Sequence, residues 1–425
     1  MDRNKNSALV KILDKHLEAL AATEGLPANS ILAAIDAGTM VCLANPNHPN
    51  LQPMLVGQPT RIKVNANIGT SPLSSCLETE LDKLKAAIEA GTDTVMDLST
   101  AGDLDQIRTR MLAECPLPLG TVPIYALGQQ LLDNNREIAS MTADELLAEI
   151  AKQCEQGVDF ITVHCGLTKH GAELAKNNRT LGIVSRGGSM LARWMLENNQ
   201  ENPLLTNFDR LLEICRPYNV TLSLGDGLRP GAGCDAGDGA QWEEVLKLDE
   251  LCQYAQKQGV QCMIEGPGHM SLDLVYGQIQ TIKTVTHHAP LYVLGPLVCD
   301  SSPGYDHISG AIGGAIAVQA GVDFLCYLTP AEHLTLPDIN DVKQGVMASR
   351  IAGHVGEVAL RRPHAVKREE SMNKARCNLN WEEMRKVALD PSQVEARRRE
   401  HKNEEVCAMC GKFCSVKMLK DMPKK

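Results

Sequence analysis

Residues 142–165, TADELLAEIAKQCEQGVDFITVHC, contain one complete helix-to-strand unit. Apolar residues recur at three- and four-residue intervals through TADELLAEIAKQC, which is the spacing of an amphipathic helix. Gly157 then supplies the residue type with which helices commonly end. The following FITVHC is a nearly continuous apolar run, as expected for a parallel strand that is buried on both faces.

The same unit recurs along the chain. Glycine stands between a helical pattern and an apolar run in AGTD (90–93), QGVD (156–159), QGVQ (258–261) and AGVD (320–323). The candidate strands are RIKVNANI (61–68), DTVMDLS (93–99), LPLGTVPI (117–124), DFITVHC (159–165), LGIVS (181–185), VTLSLGD (220–226), VQCMIE (260–265), LYVLGP (291–296) and DFLCYLT (323–329). This alternation predicts an α/β fold of the (β/α)8 TIM-barrel type, with a doubly wound sheet as the alternative. These are nine candidates, one more than an eight-stranded barrel needs, and LGIVS fits the pattern of a buried strand least well.

The segments outside the repeat suggest three regions. Residues 1–60 are expected to form a small helical region that ends in a Pro- and Asn-rich connector, and residues 61–364 the catalytic barrel. Residues 365–425 are expected to form a charged helical arm and a cysteine-bearing tail.

Charge and composition restrict the classes of function. A net charge of −10 argues against nucleic acid as the main partner, because phosphate neutralisation requires a surplus of Lys and Arg. The N-terminus resembles a charged amphipathic helix rather than a signal peptide, and the apolar window 310–328 contains Gln319 and Asp323. We therefore expect a cytoplasmic protein with no membrane partner, in which most of the 15 cysteines, such as Cys165 and Cys326, are small buried hydrophobic residues.

Polar residues and glycines follow nearly every candidate strand. In a barrel the C-terminal ends of all strands meet on one face, so these residues predict a single pocket there. They are Asn65, Asn67, Asp97, Ser99, Tyr125, His164, Ser185–Gly187, Asp226–Arg229, Glu265–His269 and Tyr292.

Two of these loops place an arginine among glycines, SRGG (185–188) and GDGLRPG (225–231). Glycine allows the backbone to approach a ligand, and its N–H groups together with arginine can bind a phosphate or carboxylate. Tight turns with a structural Arg–Asp pair explain either loop equally well by itself. Two such loops on one rim favour a phosphorylated ligand, and neither matches the nucleotide-binding glycine patterns.

Two histidines also fall on this rim, His269 in MIEGPGH and His333 in TPAEHLTLP. Two imidazoles could bind zinc or iron(II) and leave coordination positions open. The alternative is that each histidine makes hydrogen bonds within its own loop.

The tail contains Cys407, Cys410 and Cys414 in a Cys-x2-Cys-x3-Cys pattern. Structural zinc sites use four ligands, and a redox Cys-x-x-Cys normally begins a helix after a strand. Three thiolates that leave one corner open would suit a [4Fe–4S] cluster with one iron available to a small molecule. The spacing alone does not decide between zinc and iron–sulfur.

Taken together, the motifs resemble the phosphomethylpyrimidine synthase family of radical S-adenosylmethionine (SAM) enzymes. The resemblance covers roughly residues 60–420 and rests on a series of motifs in the same order: NANIGTSP, DTVMDLST, GTVPIY, GIVSRGGS, LSLGDGLRPG, MIEGPGH, LGPL, PGYDH, YLTPAEHL, DVKQG and CAMCGKFCSVK. It extends to a paralogue, the anaerobic 5-hydroxybenzimidazole synthase of the cobamide lower-ligand pathway. Both rearrange 5-aminoimidazole ribotide (AIR), a phosphorylated imidazole nucleotide.

The resemblance implies a role for each matching residue. Cys407, Cys410 and Cys414 would ligate the [4Fe–4S] cluster that binds SAM, with Glu265 and Tyr125 also catalytic, and His269 and His333 would bind a divalent metal, zinc in most members. A homodimer with a swapped C-terminal tail and an external one-electron donor are further implications. The positions expected to bind AIR are Asn67, Met96, Tyr125, His164, Ser185, Arg186, Gly187, Asp226, Gly227, Leu228, Arg229, Glu265 and Tyr292.

Two departures from the family's usual motifs bear on which product the enzyme forms. Long members of the family have four residues between the second and third cysteines, whereas GKF gives three here. Ala126 follows Tyr125, where the pyrimidine synthases usually have Gln-Ala. These features, together with LVGQPTRIKVNANIG and GLRPGAGCDAGD, favour 5-hydroxybenzimidazole as the product over 4-amino-5-hydroxymethyl-2-methylpyrimidine phosphate.

Overall fold

Eight parallel strands close into a barrel in the computed structural model, which describes residues 1–74 and 76–420. Within that part of the chain the strands are β1 (Val41–Leu43), β2 (Met54–Val56), β3 (Lys63–Ile68), β4 (Thr94–Asp97), β5 (Leu119–Thr121), β6 (Phe160–Val163), β7 (Thr221–Leu224), β8 (Cys262–Glu265), β9 (Leu291–Leu294) and β10 (Phe324–Cys326). β10 pairs with both β9 and β3, which closes the ring. The predicted (β/α)8 fold is confirmed, and the doubly wound alternative is not.

Helices alternate with the barrel strands along the chain, and further helices precede and follow the barrel. They are α1 (Ser7–Glu24), α2 (Ala28–Ala37), α3 (Leu77–Ala90), α4 (Leu104–Glu114), α5 (Pro123–Asp133), α6 (Ala143–Gln156), α7 (Lys169–Asn178), α8 (Arg186–Asn198), α9 (Pro203–Thr206), α10 (Phe208–Cys215), α11 (Gly239–Lys257), α12 (Leu272–Val285), α13 (Asp306–Ala320), α14 (Ile339–Ala359), α15 (Pro363–Cys377), α16 (Trp381–Val387), α17 (Pro391–Arg398) and α18 (Ser415–Lys420). One-turn 3₁₀ helices occupy Arg3–Lys5, Ile138–Ser140, Arg216–Tyr218, Gly233–Asp235, Arg399–His401 and Gly411–Phe413.

The unit that predicted the fold forms as expected. Thr142 and Glu145 make a reciprocal capping box at the start of α6, which satisfies two otherwise unpaired backbone donors. Gly157 ends the helix with φ of 109°, a conformation that an L-residue with a Cβ rarely adopts. The four residues of β6 are all buried, which explains the absence of alternation in its sequence.

Two predicted strands are corrected by the structure. Residues 181–185 form a loop, and Leu181 and Val184 are too exposed for a strand buried on both faces. The predicted strand 117–124 is shorter, because β5 ends at Thr121 and Pro123 begins α5. Proline suits the first turn of a helix, where its missing N–H would have no partner.

The N-terminal region closes one end of the barrel. Helices α1 and α2 pack over an apolar cluster that includes Leu9, Ile31 and Ile35. The backbone N–H of Cys42 in β1 donates to Gln261 Oε1 at 2.8 Å, just before β8 begins. Because this contact lies at the N-terminal ends of the strands, only their C-terminal ends are left for a site. The sequence predicted helices here but not the antiparallel β1–β2 pair, whose three-residue strands carry too little pattern.

The chain divides into two compact units, Met1–Gly356 and Glu357–Lys425. The first unit thus includes residues 1–60 together with the barrel. In the second unit α15, α16 and α17 surround a small core that includes Ala375 and Met384. Among residues 1–74 and 76–420, no helix has both the length and the apolar content needed to cross a membrane. The apolar window 310–328 corresponds to α13 and β10, as predicted.

Candidate active site

A cavity opens at the C-terminal ends of the barrel strands. Residues from all eight barrel strands or their following loops surround it, as the convergence of strand ends requires. The lining residues are Asn67, Met96, Leu98, Val122, Tyr125, Thr162, His164, Asp226, Arg229, Glu265, Gly266, Tyr292, Val293, Leu294 and Cys326.

One wall of the cavity is a hydrogen-bonded group on β3, β9 and β10. Asn65 Nδ2 donates to Asn67 Oδ1 at 2.7 Å and to Tyr292 Oη at 2.9 Å. Asn67 Nδ2 lies 3.1 Å from Cys326 Sγ. Burial raises the pKa of the Tyr292 phenol well above its usual range, so the phenol stays protonated. This wall presents neutral amide, phenol and thiol groups to a ligand.

The opposite wall contains two carboxyl groups and an arginine. Asp226 Oδ1 accepts from Arg229 Nη1 at 3.0 Å, and the Asp226 carboxyl also shares a hydrogen bond with Glu265. Burial raises the pKa of Asp226 well above its usual range, an effect that Arg229 opposes and Glu265 reinforces. Thr162 and Ser223 each donate to Glu265 Oε1 at 2.7 Å. Two carboxyl groups and one arginine therefore lie within hydrogen-bonding reach of one another in this wall.

His164 is a neutral imidazole at the base of the cavity. Burial, reinforced by the charge of Arg229, lowers the pKa of His164 to about 3. His164 Nε2 lies 3.0 Å from Ser185 Oγ, while Nδ1 is buried and has no hydrogen-bond partner in the structure. Buried polar atoms normally have partners, so the unpaired Nδ1 indicates a position where a ligand or water would bind.

The loop SRGG forms the N-terminus of α8. Ser185 Oγ accepts from the Gly188 N–H at 3.1 Å, and the guanidinium of Arg186 lies 4.9 Å from the centre of the Tyr125 ring. Burial raises the pKa of the Tyr125 hydroxyl, an effect that Arg186 and Arg229 oppose. A helix N-terminus with adjacent glycines and an arginine favours an anionic group.

The second glycine loop packs directly on the first. A Cβ placed on Gly188 would lie 2.5 Å from the carbonyl oxygen of Gly227, so only glycine permits this approach. Leu228 is fully buried, and its N–H donates to Glu244 Oε2 at 2.7 Å behind the cavity. Gly227 and Leu228, both predicted to bind substrate, thus shape this loop. Like Ser185, Arg186 and Gly187, they are not among the cavity-lining residues named above, and their binding role stays a prediction.

The two rim histidines lie side by side, with ring centroids 5.3 Å apart. Asp300 Oδ1 is 2.7 Å from His269 Nδ1, and Asp306 Oδ1 is 3.4 Å from His333 Nδ1. A carboxylate on one ring nitrogen is typical of metal-binding histidines, so the donors suit zinc or iron. The described residues contain no group of three or more His, Cys, Asp or Glu side chains arranged to hold a metal.

The three tail cysteines lie in the second compact unit. The N–H groups of Cys410 and Met409 lower the pKa of the Cys407 thiol, which favours the thiolate that binds metals. Cys410 is exposed, whereas Cys414 is buried, and the Gly411 N–H donates to the Cys407 carbonyl at 3.2 Å. Three thiols on one short turn are the donor chemistry of an iron–sulfur cluster with an open corner.

Some residues at the cavity were not predicted from the sequence. Thr162 lines the cavity, and Ser223 donates to the lining residue Glu265. Both precede the predicted strand ends by two or more residues, and the two-residue period of strands could have placed them on the inner face. Cys326 is buried, as predicted, but it also lines the cavity. Its run FLCYL has no polar neighbour that would signal a site.

The fold and site define a class of protein, a (β/α)8 barrel with a polar cavity at its strand ends and a three-cysteine motif in its second compact unit. Residues 4–421 match the family model described as Radical SAM ThiC family, and the chain belongs to this family. Membership implies a [4Fe–4S] cluster and SAM as cofactors.

Close relatives cover nearly the whole chain. The chain is 50% identical over 409 residues to the phosphomethylpyrimidine synthase of Desulforamulus reducens, a match that covers 95% of this chain and 94% of that protein. It is 49% identical to the phosphomethylpyrimidine synthase of Desulforudis audaxviator, with the same coverage. It is 48% identical to that of Moorella thermoacetica, over 97% of this chain and 96% of that one.

Proposed function

We propose that this protein is a radical SAM lyase that rearranges AIR into 4-amino-5-hydroxymethyl-2-methylpyrimidine phosphate for thiamine biosynthesis. Relatives that are about half identical in sequence are named phosphomethylpyrimidine synthase, which favours this product. The sequence motifs favoured 5-hydroxybenzimidazole instead. We also propose that the protein is a cytoplasmic homodimer with a swapped C-terminal tail and that it receives electrons from an external one-electron donor.

The observation that supports this proposal best is the packing of the two glycine loops against one another. The N-terminus of α8 and the Arg229 loop meet where Gly188 contacts Gly227, so the start of that helix lies next to the loop that brings the positive charge of Arg229 to the cavity. That combination suits the phosphate of a ribotide. The neutral wall formed by Asn67 and Tyr292 would then face the uncharged imidazole.

The side chains of the cavity would orient the substrate and exclude water. Neutral His164 would use Nδ1 for a hydrogen bond to the sugar or base, since that atom has no partner in the protein. Asp226 would hold a proton next to Glu265, and the pair could deliver or receive a proton during rearrangement. When bound, the cluster and SAM supply a 5′-deoxyadenosyl radical.

We also propose that His269 and His333 bind a divalent metal, preferably zinc. Replacing His333 by Ala should remove one equivalent of metal without affecting cluster iron, as measured by elemental analysis. His287→Ala, which changes an exposed histidine, is the matched control and should keep the metal. Equal metal content in all three proteins would exclude this site.

The substrate class can be tested by comparing AIR with its riboside, which lacks the phosphate. Anaerobically reconstituted protein with SAM and a reductant should form 5′-deoxyadenosine in response to AIR. The riboside should require a concentration at least about 100-fold higher, because a charge-assisted phosphate contact is lost. Equal response to both compounds would contradict the phosphate site.

A further inference from the structure

The segment just before Cys407 is held by two side chains of the second compact unit. Trp381 Nε1 donates to the carbonyl of Glu405 at 2.8 Å. Arg398 Nη2 donates to the carbonyl of Glu404 at 2.6 Å, and Nη1 to that of Val406 at 3.3 Å. Three consecutive backbone carbonyls therefore accept from these two residues.

Trp381 and Arg398 also contact one another. The Arg398 guanidinium lies over the Trp381 ring, 4.0 Å from its centroid. Stacking of this kind is favourable and fixes the plane of the guanidinium, whose fork then points at the carbonyls. The two side chains form one unit, called here the Trp–Arg clamp.

The clamp is attached to the ends of two capped helices. Asn380 caps α16, whose first residue is Trp381, through a hydrogen bond to Glu383 N at 3.1 Å. Asp390 caps α17, whose last residue is Arg398, through Gln393 N at 3.1 Å. The positions of both clamp residues are thus determined by local structure that does not depend on the cysteines.

The segment that the clamp contacts has little packing of its own. Residues 401–405 are all exposed, so no buried apolar side chain fixes their path. Beyond them, hydrogen bonds such as Phe413 N to Cys410 O at 2.9 Å order the cysteine turn internally. The backbone bonds to the clamp connect the segment before that turn to the helices, and Lys420 Nζ beyond it donates to Asn378 Oδ1 at 3.3 Å.

We propose that Trp381 and Arg398 are positioning residues that hold the cysteine segment in the geometry needed to retain an iron–sulfur cluster. This inference rests on the proposed function, because it assumes that Cys407, Cys410 and Cys414 bind the cluster. The clamp acts through the backbone of residues 404–406 and does not itself provide a ligand. A cluster held by three cysteines depends on the placement of each one, so a loosened segment loses iron faster.

Two variants weaken the clamp while keeping its bulk or charge. Trp381→Phe keeps an aromatic ring but removes the N–H donor, and Arg398→Lys keeps the charge but removes the planar fork. Arg385→Lys is the matched control, because Arg385 lies next to Trp381 but pairs with Glu382 at 2.8 Å. The three proteins and the wild type are compared as full-length chains.

Before any cluster is added, cleavage by a glutamate-specific protease at Glu404 and Glu405 reports whether the clamp holds the segment. After anaerobic reconstitution, the rate of iron transfer to a ferrous chelator and the electron paramagnetic resonance (EPR) spectrum of the reduced cluster report on cluster geometry. W381F and R398K should each be cleaved, and lose iron, about tenfold faster than wild type, with an altered EPR spectrum, while R385K resembles wild type.

If W381F and R398K are cleaved and lose iron at the R385K rates, the clamp has no positioning role. Faster cleavage with unchanged iron transfer and EPR spectrum would also overturn the proposal, because the clamp would then be structural only. Failure of the wild type to acquire a cluster would instead contradict the proposed function, and the positioning proposal would fall with it.

Discussion

The carboxyl group of Asp226 shares a hydrogen bond with that of Glu265 inside the cavity, and burial raises the pKa of Asp226. In the unfolded chain Asp226 has the ordinary pKa of aspartate, about 4. A pKa raised by folding contributes stability at low pH that is lost as the pH rises toward the folded value.

Replacing Asp226 by Asn should therefore remove a pH dependence. The free energy of unfolding of the wild type, measured relative to D226N by urea denaturation, should fall as the pH rises above about 4. The slope should be at most about 1.4 kcal/mol per pH unit. Asp14→Asn, on the exposed side of α1, should show no comparable slope. A constant difference between wild type and D226N from pH 4 to 8 would show that Asp226 is ionised in the folded protein.

His164 should give a pH dependence of the opposite sign. Its pKa in the folded protein is about 3, below the ordinary value of 6.5, so folding opposes its protonation. The wild type should lose stability relative to His164→Asn as the pH falls from about 6.5, by a few kcal/mol in total. Above pH 7 the difference should be constant. Urea denaturation at several pH values measures it, and an unchanged difference at pH 5 would contradict a buried neutral imidazole.

Gly188 should not tolerate a side chain. The new methyl group of Gly188→Ala would lie 2.5 Å from the Gly227 carbonyl oxygen, so the two glycine loops would have to separate. We expect a loss of about 1–3 kcal/mol in unfolding free energy and a raised KM for AIR. Gly277→Ala is the control within α12, where a Cβ meets no atom within 4 Å and should stabilise by about 0.5–1 kcal/mol. Similar KM values for both variants would argue against the loop contact as part of the substrate site.

Cys410 should matter for the cluster and not for folding. Its side chain is exposed in the second compact unit, so Cys410→Ser should leave the thermal unfolding of the apo protein unchanged. The variant should fail to retain iron and sulfide after anaerobic reconstitution. Cys377→Ser changes another exposed cysteine of the same unit and should retain both. A C377S protein that loses the cluster while C410S keeps it would assign the ligands differently.

The sequence predicts the barrel because its strands are buried on both faces and its helices end at glycine, both of which leave strong local patterns. It also predicts the rim, since strand ends converge by geometry. It does not predict that Cys326 lines the cavity, because a buried thiol in an apolar run resembles core. The contact between Trp381 and Arg398 likewise cannot be predicted from the sequence, since it depends on how two separate helices pack. Leu228 is the opposite case. It lies in a motif that predicts a binding site, and the structure shows its N–H bonded to Glu244, where it supports the loop.

The identity of the product tests the proposed function most directly. Anaerobically reconstituted enzyme is incubated with AIR, SAM and a reductant, and the products are identified by mass spectrometry. The account predicts 4-amino-5-hydroxymethyl-2-methylpyrimidine phosphate together with 5′-deoxyadenosine, and neither with the C410S variant. Recovery of 5-hydroxybenzimidazole instead would contradict the proposed product, and the absence of 5′-deoxyadenosine in the presence of an intact cluster would contradict the proposed reaction.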